Sequence, residues 1–423
     1  HVRQALRFPD VSCESSRGID TYGYVTVSWG VLPEPQPPGD PLTEPEGNNE
    51  PAVGDLPVQL LEPSGRRVDH PDFRYRGTDA DIAEALRDMV LARRIDTEAT
   101  ALQRKGQLGL WPPLLGQEAA QVGSARASRD PDLSIPSYRE HAVAWCKGVD
   151  PVEMLGTFRG TGMVDWPSRP DSFHLYSFVI GAQVLHAVGM AMALQRDGLV
   201  GTADPAADAA AIVYFGDGAT SQGDVNEAFV FAASANAPVV FFCQNNQYAI
   251  SEPTSLQSRI PLYRRAAGFG FPGVRVDGND LLAVNAVTEW ALARARRGEG
   301  PALIEAFTYR MGAHTTSDDP GKYRTAAEQD EWRAKDPIER VRAYLLAAGA
   351  IDQAWLGALD AESDALAERL RAGCLELPEP ALADSWDLVY AGTPELLRRQ
   401  REEYLAYEAS FESSDGAIPG EAR

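Results

Sequence analysis

At 423 residues the chain is long enough for a large core, and its 39 basic and 61 acidic residues give a formal charge of -22, which opposes generic binding to nucleic acid or to an anionic membrane. Four scattered cysteines, Cys13, Cys146, Cys243 and Cys374, form neither a disulfide framework nor a zinc spacing and point to a reducing cytoplasm. No apolar run approaches about 18 residues and no charged-then-apolar leader opens the sequence, so neither a spanning helix nor a signal peptide is expected.

Residues 1–56 carry Pro33, Pro35, Pro37, Pro38, Pro41 and Pro45 among Glu, Asp, Asn and Gly. So little apolar surface does not offset the entropy of ordering, and a mobile tail is expected, with VTVSWGVL inside it readable as a strand. From Thr78 the pattern turns helical. Thr78 and Asp81 make a capping-box start, Ile82, Ala85, Leu86, Met89 and Val90 an apolar face, and Gly106 a stop.

Ser137-Tyr138-Arg139-Glu140-His141 follows. An arginine can fork two donors onto a diphosphate and a neighbouring tyrosine can bond the same oxygens, although alone the five residues read as a surface Arg beside a half-buried Tyr. His141 reads as a packing or hydrogen-bonding histidine. A long loop over 160–176 is of the kind that is often functional. It leads to Phe178-Val179-Ile180-Gly181-Ala182-Gln183 and a helix with Val184, Ala187, Val188, Ala191 and Met192 on one face, closed by Gly198. Residues 202–210 read as a surface insertion.

Ala211-Ile212-Val213-Tyr214-Phe215 is a short apolar run that fits a buried strand, and Gly216-Asp217-Gly218 then allows a tight turn beside a ligand. Asp224 and Glu227 predict a capping box for the next helix, which Asn236 and Pro238 close. Val239-Val240-Phe241-Phe242-Cys243 is a second buried strand. Two parallel strands joined by one helix put Asp217 and Asn246 on the same edge of a sheet, where open α/β folds bind ligands. Asp217 alone is more often a turn cap. With Asn245-Asn246 across a strand-helix-strand unit, the pattern points to two oxygen ligands for Mg²⁺ held against a diphosphate.

Val274-Arg275-Val276 reads as a strand, Asp280 as a cap, the stretch to about Arg297 as a helix and Ala302-Leu303-Ile304-Glu305-Ala306 as a strand. Beyond Asp336 the pattern is helical. Ile338, Val341, Leu345 and Leu346 form one face, and Leu356, Leu359, Leu366 and Leu370 another, with fraying expected after about Tyr407.

The words YFGDGATSQGDVNEAFVFAA, FFCQNNQYAIS and YRMGAHTTSDDPGKYR resemble the alpha subunit of the 2-oxo acid dehydrogenase (decarboxylating) component, the family of the branched-chain 2-oxo acid and pyruvate dehydrogenases. The likeness runs from about Val58 to about Gln400. It implies an α/β fold, a mainly parallel sheet with flanking helices, divided into a thiamine diphosphate-binding domain over 57–335 and a helical section over 336–423. It implies thiamine diphosphate and Mg²⁺ as cofactors, with Asp217, Asn246 and the Tyr248 carbonyl on the metal. Tyr138, Arg139, Gly218, Ala219 and His314 would address the diphosphate, Gln244 would lie close to it, and Ile180 would bend the cofactor into a V. His314 would also help hold the intermediate for acyl transfer, as its catalytic role.

The same resemblance places Leu110 to Ala119 at the family's GQEA segment and assigns the glutamate that protonates the cofactor ring to a beta subunit. Glu118 is then structural and this chain is half of an active site, in an α2β2 assembly serving a lipoyl-bearing acyltransferase. Branched-chain relatives carry Ser, Thr and Pro as a potassium site near the wedge, where Phe178, Val179 and Ala182 offer no such oxygens. Thr315 stands where mitochondrial relatives have a regulatory phosphoserine, and regulation there is not expected. Some pyruvate-specific relatives have His in place of Pro112. A branched-chain 2-oxo acid is the first expected substrate, pyruvate the alternative, and a non-catalytic scaffold subunit the alternative of another class.

Overall fold

A computed structural model describes residues 56–161, 166–379, 386 and 390–412. The expected tail and the possible strand in VTVSWGVL lie outside them, apart from Leu56. The elements in chain order begin with α1 (Asp79–Arg104), α2 (Glu118–Ala127), β1 (Leu133–Ile135), α3 (His141–Cys146), α4 (Pro151–Arg159) and α5 (Ala182–Arg196). Then come β2 (Ala211–Gly216), α6 (Gly223–Ala235), β3 (Val239–Asn245), the hairpin β4 (Tyr248–Ala249) and β5 (Glu252–Pro253), α7 (Thr254–Gln257) and α8 (Arg265–Phe269). β6 (Gly273–Asp277), α9 (Leu281–Arg296), β7 (Ala302–Phe307), α10 (Ala326–Arg333), α11 (Pro337–Ala347) and α12 (Gln353–Glu376) follow, with a last helix over Glu395–Glu412.

The five-stranded sheet has the order β1-β2-β3-β7-β6 and every pairing in it is parallel. The central strands β2 and β3 read as nearly continuous apolar runs because both faces are covered. Ile212, Tyr214, Val240, Phe242 and Ile304 enter a core shared with α1, α2, α9, α11 and α12, while Val213, Phe215, Phe241, Cys243 and Leu303 enter a second core with α5, α6 and α8. Parallel strands of one sheet bring all their carboxyl ends to a single edge, and the loops that build the site leave from there.

Local chemistry sets the helix ends. Thr78 and Asp81 form the expected capping box, and Asp280 accepts from the Leu282 and Ala283 N–H groups at 3.0 Å each. The box expected from Asp224 and Glu227 does not form. A 3-10 turn over Asp217–Ser221 consumes the residues before it, and Gln222 caps α6 with its own side chain on Gly223 N–H. The connector over 202–210 is not wholly superficial, since Asp208, Ala209 and Ala210 are buried against the sheet's amino edge. Leu346 is exposed while Ile338, Val341 and Leu345 are buried, because α11 turns that flank outward. The last helix continues past Tyr407 to Glu412. Among the described residues no helix is long and apolar enough to cross a membrane.

Candidate active site

β2 and β3 end side by side, with Gly216 opposite Gln244 in the parallel register, so Asp217 and Asn246 emerge at neighbouring strand tips. Asp217 is 1% exposed. Its Oδ2 accepts from the Thr254 hydroxyl and from Gln257 Nε2, both at 3.0 Å. Burial raises this carboxyl above its ordinary range, against the pull of those two neutral donors. Asn246 is also buried. Its Nδ2 donates to Gln117 Oε1 at 3.2 Å and its Oδ1 accepts from Tyr248 N–H at 3.3 Å. The Tyr248 hydroxyl is committed to Glu328 at 3.0 Å, while the Tyr248 carbonyl accepts from Arg310 Nη1 at 2.7 Å and keeps a second lone pair.

The turn after Asn246 is strained. Gln247 and Ile250 have φ of +72° and +58°, a left-handed conformation that is costly for a β-branched residue, on the order of 1–3 kcal/mol each. Long-range bonds hold it: Arg310 Nη2 donates to the Ile250 carbonyl at 2.6 Å and Gln247 Nε2 to the Thr308 carbonyl at 2.8 Å. The turn lies tightly over Gly218, where a Cβ would come within 2.7 Å of Ala249 Cβ. Only glycine leaves its backbone open at this place.

These tips border a cavity of about 250 Å³. All ten residues expected to meet the cofactor line it: Tyr138 and Arg139 from the turn before α3, Ile180 from the turn before α5, Asp217, Gly218 and Ala219 after β2, Gln244 and Asn246 at the end of β3, Tyr248 in β4, and His314 after β7. Ile180 is 44% exposed, an apolar side chain at the mouth of a polar cavity, and beside it Phe178 stacks on Tyr138 with ring centres 6.0 Å apart.

One end of the cavity is cationic. Arg139 Nη1 donates to the Pro113 carbonyl at 2.6 Å, and its Nη2 donates to the His314 carbonyl at 3.0 Å and lies 3.2 Å from His314 Nδ1. A guanidinium only donates, so Nδ1 is the acceptor and the neutral ring carries its proton on Nε2. Burial, then the charges of Arg139 and Arg310, push His314 down to about 3. The ring is therefore neutral near pH 7. Its chemistry in this setting is to donate a hydrogen bond from Nε2 to an anion.

Gln244 turns its amide to Glu140 Oε1 at 2.6 Å and takes a bond from Gln121 Nε2 at 3.1 Å. Glu140 Oε2 accepts from Ser137 N–H at 2.7 Å and Arg139 N–H at 3.3 Å, which fixes the turn that carries Tyr138 and Arg139. Burial raises its carboxyl to about 7. Glu118 lies outside the cavity, held by Arg93 Nε at 2.8 Å and Gly116 N–H at 3.0 Å. His141 stacks on Trp111 with ring centres 4.1 Å apart, and its two nitrogens meet the Tyr176 hydroxyl and the Pro112 carbonyl.

Sequence reasoning missed Arg310, Glu140, Thr254 and Gln257. Arg310 had a readable signal, a charge three positions past a buried strand inside a motif already singled out. Thr254 and Gln257 had none, since their role depends on a contact with Asp217 across 37 and 40 positions.

The dehydrogenase E1 component family matches residues 86–371. Over 351 residues, 83% of this chain and 94% of the relative, 42% of positions are identical to the 3-methyl-2-oxobutanoate dehydrogenase subunit alpha of Mycobacterium tuberculosis (strain ATCC 25618 / H37Rv). Over 299 residues, 68% of this chain and 76% of the relative, 40% are identical to the pyruvate dehydrogenase E1 component subunit alpha of Staphylococcus aureus (strain MW2). Both relatives are alpha subunits, and the family uses thiamine diphosphate. With a match over most of its length, this chain belongs to the dehydrogenase E1 component family of decarboxylating 2-oxo acid dehydrogenases.

Proposed function

We propose that the chain is the alpha subunit of a dehydrogenase that decarboxylates a branched-chain 2-oxo acid of the 3-methyl-2-oxobutanoate type and hands the acyl group to a lipoyl-bearing acyltransferase. It works with a beta subunit in an α2β2 assembly in a reducing cytoplasm, with 57–335 as the cofactor domain and 336–423 as its helical section. The observation that carries this reading is the meeting of one buried carboxylate, one amide and one carbonyl within a strained turn with a cationic wall in a single cavity.

The residues fit the cofactor. Among the described residues no three His, Cys, Asp or Glu side chains cluster as a metal cage. Asp217, Asn246 and the Tyr248 carbonyl suit Mg²⁺ instead, which takes its remaining oxygens from water and ligand phosphates. Two donors on Asp217 leave lone pairs on that carboxylate for a cation. Arg139, Tyr138, His314 and the backbone of Gly218 and Ala219 would meet the diphosphate, and Ile180 would press between the rings. When bound, thiamine diphosphate supplies an electron sink for the pair left behind as carbon dioxide departs.

The chain's own residues orient and shield. Arg139 retains a second hydrogen on Nη1 after its bond to the Pro113 carbonyl, while both Nη2 hydrogens are spent on His314. His314 offers Nε2–H without adding charge. The oxygens of Glu118 and Glu140 are committed within the chain, in keeping with the resemblance, which assigns the carboxylate that protonates the cofactor ring to the beta subunit.

The broader match, 83% of the chain against 68%, supports the branched-chain substrate, and the 40% identity to a pyruvate enzyme keeps pyruvate as a second reading. Steady-state kinetics of the complex reconstituted with its beta subunit decide. We expect kcat/KM for 3-methyl-2-oxobutanoate to exceed that for pyruvate by at least about tenfold, a difference of about 1.4 kcal/mol in barrier. The reverse preference overturns the substrate assignment, and no turnover of either with no cofactor bound favours the scaffold role.

A further inference from the structure

Asp217 is oriented by a short turn that does not itself line the cavity. α7 follows the β4–β5 hairpin and is tied to the strained turn by the Thr254 N–H, which donates to the Gln247 carbonyl at 3.0 Å. The Thr254 hydroxyl lies 3.0 Å from Asp217 Oδ2 and 3.0 Å from Asn245 Oδ1, so one side chain spans the tips of β2 and β3. A hydroxyl has a single proton, and of two acceptors the ionised carboxylate takes it more strongly. Asn245 does not depend on that proton: its Oδ1 accepts from Gln247 N–H at 3.1 Å, and its Nδ2 donates to the buried Glu305 at 2.7 Å. Gln257 Nε2 supplies the second donor to Asp217 Oδ2, and its Oε1 accepts from the Ser221 hydroxyl at 3.3 Å.

Both donors therefore act on the same carboxylate oxygen. Left alone, the last torsion of an aspartate is soft and the group can turn either edge to a cation. With Oδ2 occupied twice, Oδ1 remains as a single, fixed ligand, and a two-oxygen grip is closed off. Mg²⁺ demands near-octahedral ligands at about 2 Å, whereas Ca²⁺ accepts more ligands, longer distances and two-oxygen carboxylates. We propose that Thr254 and Gln257 are positioning residues that hold Asp217 as a one-oxygen ligand and so set the preference of the cofactor site for Mg²⁺ over Ca²⁺. This deepens the reading of Asp217 as a metal ligand and rests on it.

Outer partners of metal ligands are worth roughly 10- to 100-fold in affinity. The test uses the complex with its beta subunit at saturating thiamine diphosphate, titrated calorimetrically with Mg²⁺ and separately with Ca²⁺. Thr254→Val and Gln257→Leu are each expected to weaken Mg²⁺ by about 10-fold or more and Ca²⁺ clearly less, and Thr254→Ser to restore the wild-type ratio. An equal loss for both cations, or Mg²⁺ binding at wild-type strength in both variants, overturns the proposal. Asp217→Asn separates the two levels: if it alone loses Mg²⁺, only the positioning role fails, and if it too binds as the wild type does, the metal reading fails with it. Melting without metal monitors folding, and should Thr254→Val not fold, Gln257→Leu decides.

Discussion

Glu118 at the start of α2 and Asp217 at the tip of β2 are two carboxylates taken out of water by one fold, with exposures of 0% and 1%. They are provided for differently. Glu118 has the Arg93 guanidinium at 2.8 Å, and Arg93 in turn reaches Asp336 at 2.8 Å, so the scaffold supplies its own counter-charge. Asp217 receives two neutral donors, and the cation that bears on it, Arg310, spends its Nη donors on the Tyr248 and Ile250 carbonyls and the Tyr323 hydroxyl. A buried anion left with neutral partners is what a cation from outside would complete. On the proposed reading, the difference separates a charge that holds the fold from one that would hold a ligand.

Substitution at the two carboxylates breaks or sharpens that contrast. Asp217→Asn is expected to abolish turnover of the reconstituted enzyme, a loss beyond the roughly 10- to 100-fold of an outer-shell change, while the cofactor-free chain melts at or above the wild-type temperature. Glu118→Gln should do the opposite. It leaves Arg93 short of a partner and lowers stability by about 2–3 kcal/mol, below the full cost of a broken buried pair because Asp336 still faces Arg93, with kcat of the folded fraction little changed. Denaturant melts beside initial rates check both, and a Glu118 variant that loses turnover but not stability would erase the distinction.

Smaller effects test the walls. Ile180→Ala removes the apolar edge at the mouth and should lower kcat by about tenfold, roughly 1.4 kcal/mol, with cofactor affinity nearly kept; equilibrium binding beside kcat separates the two. His314 is read through pH, and its sign is fixed. Its folded pKa of about 3 lies below the ordinary value near 6.5, so between those pH values the unfolded chain binds the extra proton. Its contribution is full above about pH 6.5 and is lost as pH falls towards 3. His314→Gln should therefore flatten the acid limb of stability measured without cofactor, and an unchanged slope between pH 5 and 7.5 would show that the ring is not held neutral.

Much of this was legible in the chain because it is local or periodic. The runs at 211–215 and 239–243 announce buried strands, Thr78 and Asp81 sit three positions apart as a cap must, and the spacing from Asp217 to Asn246 is one crossover. What was not legible depends on contacts far apart in sequence. The neutral state of His314 comes from burial and then from Arg139, 175 positions away, and the clamp on the strained turn comes from Arg310, 60 to 62 positions away. Leu346 and the box expected from Asp224 and Glu227 failed for another reason. An apolar face fixes a stripe but not its edges, and a 3-10 turn can take the residues a capping box would need.

The central claim is that a cation bridges the two strand tips to a diphosphate. Calorimetry of thiamine diphosphate with Mg²⁺ on the alpha–beta complex tests it most directly. The account predicts one saturating site per alpha chain, lost when Mg²⁺ is withdrawn or when Asp217 is changed to Ala in a chain that still folds. Equal binding by wild type and Asp217→Ala, with or without Mg²⁺, would contradict it.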